Sequence, residues 1–103
     1  MAFHVYHRYG ACESNPELES LEQLYDELAA DDDEHPDVSL GHESSWSLSA
    51  FPGGLLVLEN AEGDGPARHM ASVPRAKVIE LWRKLAGGDI QGVDSEPWQM
   101  GCG

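Results

Sequence analysis

The stretch Val38-Ser39-Leu40-Gly41-His42-Glu43-Ser44-Ser45-Trp46-Ser47-Leu48-Ser49-Ala50-Phe51-Pro52-Gly53-Gly54-Leu55-Leu56-Val57-Leu58 decides the fold. Val38, Leu40 and His42 share one face of an extended chain, and so do Trp46, Leu48 and Ala50, with Ser47 and Ser49 in the alternate places. A period of two marks strands with one buried face. Ser44-Ser45 separates the two runs, which predicts a hairpin. Phe51-Pro52-Gly53-Gly54 is the next turn, because proline sets the first central torsion and glycine accepts positive φ at the following position. Leu55-Leu56-Val57-Leu58 has no polar alternation and suits a strand buried on both faces. A meander through residues 38–58 results.

Further elements are expected on either side. Phe3, Val5, His7 and Tyr9 alternate with His4, Tyr6 and Arg8, and both sets are partly apolar, as for a strand near the middle of a sheet. Ser14-Asn15-Pro16-Glu17 has the residues of a helix start, with Glu17 three after Ser14 as in a capping box. Leu18, Leu21, Tyr25 and Leu28 then recur at helical spacing with Leu24 beside them, and Glu19, Glu22 and Asp26 lie on a flank turned away. Asp31-Asp32-Asp33-Glu34, at the negative end of the helix dipole, and His35-Pro36 should end this helix. Glu59 to Pro66 reads as a loop and Arg68 to Val73 as a short last strand. A second helix opens at Pro74, packs through Val78, Leu81, Trp82 and Leu85, and stops at Gly87-Gly88. Residues 89–103, with Pro97 and Trp98, read as an irregular tail. The expectation is a single α+β domain over residues 1–103: a mainly antiparallel sheet of four to five strands with two helices packed on one face.

Charge separates the chain into two parts. The whole carries −13 over 103 residues, yet residues 1–67 hold 15 acids and a single base, Arg8, while residues 68–103 hold four acids and five bases. Binding nucleic acid by neutralising phosphates needs a basic footprint, so that class is disfavoured. No apolar run approaches the ~20 residues that span a bilayer, and Met1 to Val5 lacks the basic-then-apolar pattern of a leader, so a soluble, cytoplasmic protein is expected. Cys12 and Cys102 are the only cysteines, and reduced thiols are expected in that compartment.

Catalytic and metal chemistry have little support in these residues. His4 and His7, three apart on a strand, should point to opposite faces, and no His-Glu-x-x-His or Cys-x-x-Cys spacing exists. A triad needs a nucleophile, a base and an orienting group within reach. Ser44, Ser45, His42, His69 and Asp64 supply those types but no spacing that joins them. The acidic run lacks the alternate spacing and central glycine of a calcium loop. No cofactor, metal site or enzymatic activity is therefore expected. Glu19, Glu22 and Asp26, continued by Asp31, Asp32, Asp33 and Asp37, form instead a carboxylate ridge suited to the basic cleft of another protein, with Tyr25 and Trp98 as candidate apolar anchors. Trp98 has a second reading, in which its ring pins the tail to the domain. The alternative for the acids is a solvated coat on a small interaction module that uses its open sheet face.

Trp46-Ser47-Leu48, Gly53 through Asn60, Arg68-His69-Met70, Val78 to Trp82, Gly88-Asp89-Ile90 and Pro97-Trp98 resemble, in the order of their elements, small bacterial proteins that are similar to immunity proteins encoded beside polymorphic or contact-dependent toxins. The likeness spans about two-thirds of the chain. It implies an intracellular protein that blocks a cognate toxin, often a nuclease or deaminase with a basic cleft.

Overall fold

The computed structural model describes residues 3–7, 12–14, 17, 19–29, 37–60 and 67–101. In chain order the elements are β1 (Phe3–Tyr6), β2 (Cys12–Ser14), α1 (Ser20–Asp26) with a 3₁₀ turn at Glu27–Ala29, β3 (Val38–His42), β4 (Trp46–Ala50), β5 (Leu56–Asn60), β6 (Arg68–Met70), α2 (Arg75–Ala86), α3 (Ile90–Asp94) and β7 (Gln99–Met100). The seven strands form one sheet in the order β2-β1-β3-β4-β5-β6-β7, and every adjacent pair is antiparallel. The α+β class with an antiparallel sheet agrees with the sequence. The sheet has more strands than expected, and a short third helix joins the two anticipated.

Register explains which side is covered. Val5, Leu40, Leu48 and Leu58 lie directly opposite one another across β1, β3, β4 and β5, and Val38, Ala50 and Leu56 form the next row. All seven are at most 2% exposed and join one core with Leu21 and Leu24 of α1 and Val78, Leu81, Trp82 and Leu85 of α2. Helix α2 lies across β3 and β4 and packs on α1. The alternate residues, including His4, Tyr6, Ser39, Gly41, Ser47, Ser49, Glu59 and His69, occupy the opposite face. Val57 belongs to that outer set and is only 3% exposed, so β5 is buried on both faces as its unbroken apolar run requires. Among the described residues no helix is long and apolar enough to cross a membrane.

Three readings need correction. Ser14 does not cap a helix, because β2 pairs Glu13 with Val5 and draws Ser14 into the ladder opposite His4. Helix α1 starts only at Ser20, without a side-chain cap, and Asn15, Pro16 and Leu18 lie outside the described residues. The segment from Asp89 is not irregular. Asp89 accepts a hydrogen bond from the Gly92 N–H at 3.0 Å and so caps α3, which buries Val93, and β7 then pairs Gln99 with His69 and Met100 with Arg68. Pro74 stands at the N-cap of α2, one place earlier than expected, and Gly88 has the positive φ of +83° that ends helices.

Candidate partner-binding surfaces

The expected carboxylate ridge is only partly described. Asp31, Asp32 and Asp33, with Glu34, lie outside the described residues, as does Cys102. Cys12 carries a free, exposed thiol on β2. Glu19, Glu22 and Asp26 are exposed on α1 and at its entrance, and Asp37 is half-buried just before β3. Helix α2 reaches two of these acids: the Arg75 guanidinium donates from Nε to Asp26 Oδ1 at 3.0 Å and from Nη2 to Asp26 Oδ2 at 3.1 Å, with Glu22 at 3.6 Å. That fork closes α1 onto α2 and raises the Arg75 pKa, chiefly through the Asp26 hydrogen bonds. Local patterns cannot reveal it, because the partners are 49 positions apart in the chain.

Tyr25 is half-buried with its ring edge-to-face against Trp82, centroids 6.2 Å apart, and lines an open hollow with Asp26, Leu28, Pro52 and Gly53. Trp98 is also half-buried against the core, and its indole N–H donates to the Val93 carbonyl at 2.8 Å. The ring therefore fastens the C-terminal segment to α3. Arg68 bridges to Asp94 at 2.6 Å and lies over the Trp46 ring at 5.6 Å. Lys77 joins Glu96 at 3.0 Å and Glu80 at 3.3 Å, which raise its pKa in that order, and Lys84 approaches Glu80 at 3.9 Å.

The described lysines and arginines are thus consumed within the fold, Arg83 excepted. Glu17, Glu19, Asp37, Glu43 and Glu59 have no ion pair with any described residue.

The histidines separate into different roles. His69 on the outer face donates from Nδ1 to the Gly101 carbonyl at 3.0 Å. His42 is on the core side and 4% exposed. Its Nδ1 accepts the Ser44 N–H at 3.1 Å and meets the Ser44 hydroxyl at 2.8 Å, which folds the β3–β4 turn. Its Nε2 is buried and has no hydrogen-bond partner among the described residues. Because His42 and His69 face opposite sides of the sheet, they do not assemble with one carboxylate. Among the described residues no group of three or more His, Cys, Asp or Glu side chains is arranged to hold a metal ion.

His7 makes the tightest polar cluster. Its Nδ1 is 2.6 Å from Glu27 of the 3₁₀ turn and its Nε2 is 3.0 Å from Glu13 of β2. Both partners are acceptors when ionised, so the pair favours the doubly protonated, cationic ring. Burial opposes that charge, but the hydrogen bonds from Glu27 and then Glu13 outweigh it and raise the pKa above the usual 6.5. A group whose pKa is higher folded than unfolded stabilises fully below its unfolded value, and the contribution fades as pH climbs through the folded value. His7→Gln should therefore cost about 1–2 kcal/mol near pH 5.5 and progressively less above pH 7. Urea titrations of both proteins across that range measure the difference; a penalty that grows with pH would contradict the imidazolium bridge.

The helix-free face contains an open hollow of about 460 Å³ lined by His4, Tyr6, Gly41, Glu43, Ser45 and Ser47, with His42 and Trp46 also bordering it. A β-carbon on Gly41 would lie 2.5 Å from His4 Nε2, so the glycine lets the His4 ring settle onto the sheet. The ring then meets Tyr6 edge-to-face, with centroids 5.0 Å apart at 87°. Tyr6 remains 46% exposed. Alternation in the first seven residues places His4 and Tyr6 on one face, but the long-range pairing that lays Gly41 beside His4 is not visible in the sequence.

In comparison with known proteins, no family model, no curated protein and no solved structure matches the chain.

Proposed function

We propose that this chain is a non-catalytic, acidic binding protein, an immunity-type inhibitor that occupies the basic cleft of a toxin such as a nuclease or deaminase. The observation that carries this reading is the placement of the counter-charges. Four of the five described lysines and arginines are tied to carboxylates of the fold, so few cations are left to offset the exposed acids that have no ion pair among the described residues. Glu22 and Asp26 share Arg75, so in this reading Glu19 and Asp37, together with the charges of Asp31, Asp32 and Asp33, supply the attraction, and Tyr25 and Trp98 are the candidate apolar contacts. Opposite charge accelerates encounter by about tenfold or more at low salt.

Capture from the native host at low salt, followed by mass spectrometry, should return a basic protein whose activity an equimolar amount of this chain abolishes. Replacing Asp31, Asp32 and Asp33 together by Asn should slow association several-fold at low salt, by about threefold or more, and flatten its salt dependence, with folding unchanged. An acidic partner, or an on-rate indifferent to salt in the unaltered protein, would refute the reading.

A further inference from the structure

The hollow on the helix-free face has a chemistry of its own. Its floor is made of small residues: Gly41 and Ser47 pair directly across β3 and β4, Ser39 and Ser49 form the neighbouring row, and the His4 ring rests on Gly41. One wall is aromatic, formed by His4 and the half-exposed Tyr6. Glu43 stands at the turn that closes the hollow, and Glu59 is directly opposite Ser47 on the same face. Neither carboxylate pairs with a described cation.

We propose that this hollow is a receptor for an arginine side chain presented by a protein partner. It rests on the reading above that the partner is basic, and it names a second point of contact away from the α1 ridge. The chemistry selects the residue. A planar guanidinium stacks on a tyrosine or imidazole ring, forks to a carboxylate, and donates sideways to serine hydroxyls, whereas an ammonium does only part of this. Net charge selects against anions. The hollow is also wide and shallow on a sheet face, unlike the enclosed clefts that bury most of a free small molecule. A side chain held out from a larger surface has its remaining area covered by that surface.

The test uses acetyl-Gly-Arg-Gly-amide as the probe, titrated into the ¹⁵N-labelled full chain at low salt, with the Lys and Glu counterparts as controls. Saturable shifts are expected at Tyr6, Gly41, Glu43, Ser47 and Glu59, with the arginine peptide binding about threefold or more tighter than the lysine peptide. The exposed double variant Glu43→Gln, Glu59→Gln should weaken it by about threefold or more without altering the rest of the spectrum. Tyr6→Ser provides an independent loss. Shifts confined to Glu19, Glu22 and Asp37 would overturn the receptor and leave the acidic-inhibitor reading standing. Equal response to the glutamate peptide would also overturn it. The absence of any response to the arginine peptide anywhere on the surface would count against both.

Discussion

Trp82→Ala should remove about 3–5 kcal/mol of unfolding free energy, the largest loss expected from any single side chain here. Trp82 is wholly buried on α2, and its indole N–H donates at 2.9 Å to the Leu48 carbonyl in the middle of β4. It also meets Tyr25 from α1, so one ring joins both helices to the central strands. Truncation removes the apolar area, opens a cavity that the ridge of leucines around it can only partly fill, and deletes the one hydrogen bond that ties α2 to the sheet backbone through this ring. For a domain of this size total stability is about 5–15 kcal/mol, so about a fifth or more of it is at stake. Trp82→Phe keeps most of the volume and should cost about 1–3 kcal/mol. Urea unfolding followed by far-ultraviolet circular dichroism gives both values; a loss below about 1 kcal/mol for the alanine variant would mean that the helices are held by something else.

The parts of this fold that were legible in the sequence are those fixed by local periodicity. The alternation of Val38 to Ala50 gave β3 and β4 with their ends, and the stripe from Val78 to Leu85 gave α2, because each pattern repeats over enough residues to outweigh its alternatives. Short elements were not legible. Strands β2 and β7 hold three and two described residues, all exposed, and exist because a neighbouring strand offers them an unpaired edge. No propensity marks Cys12-Glu13-Ser14 as a strand, and the capping-box spacing from Ser14 to Glu17 competes with that pairing and loses. Helix α3 did leave a trace. Gly88-Asp89 is a stop followed by a cap, and Ile90 and Val93 are three apart, but five residues are too few for a periodic signal.

The charged residues divide in the same way. An excess of carboxylates in residues 1–67 is a count and can be read directly, whereas the destination of each cation is a tertiary fact. Arg75 selects Asp26 and Glu22 because α1 and α2 pack side by side, and Lys77 selects Glu96 because Trp98 and β7 bring the C-terminal segment back along α2. Sequence reasoning named the ridge and could not foresee that two of its members are shared with α2. The same limit hid the His7 bridge, whose two glutamates come from an unanticipated strand and from the end of α1.

Gly54→Ala should cost about 2–4 kcal/mol, and comparison with its neighbour isolates the cause. Gly53 and Gly54 both have positive φ, +88° and +87°, in the turn that Phe51 closes by donating its N–H to the Leu55 carbonyl at 2.9 Å. The conformational penalty of a β-carbon is therefore similar at the two positions, about 1–2 kcal/mol. Their surroundings differ. A β-carbon at Gly53 would meet nothing within 4 Å, while at Gly54 it would lie 3.0 Å from the Val73 nitrogen, 3.1 Å from the Val73 oxygen and 3.2 Å from Ser72 Cα. The same Val73 N–H donates to the Gly54 carbonyl at 2.9 Å, so the β4–β5 turn is latched to the segment that leads into α2. An alanine there makes that backbone give by a few tenths of an ångström and strains the bond, and backbone cannot rotate aside as a flexible side chain can. Gly53→Ala should accordingly lose only the conformational part, and Gly54→Ala about 1–2 kcal/mol more. Parallel urea unfolding of the two variants reads the difference directly. Equal losses would show that the latch contributes nothing and that the turn is set by backbone torsions alone.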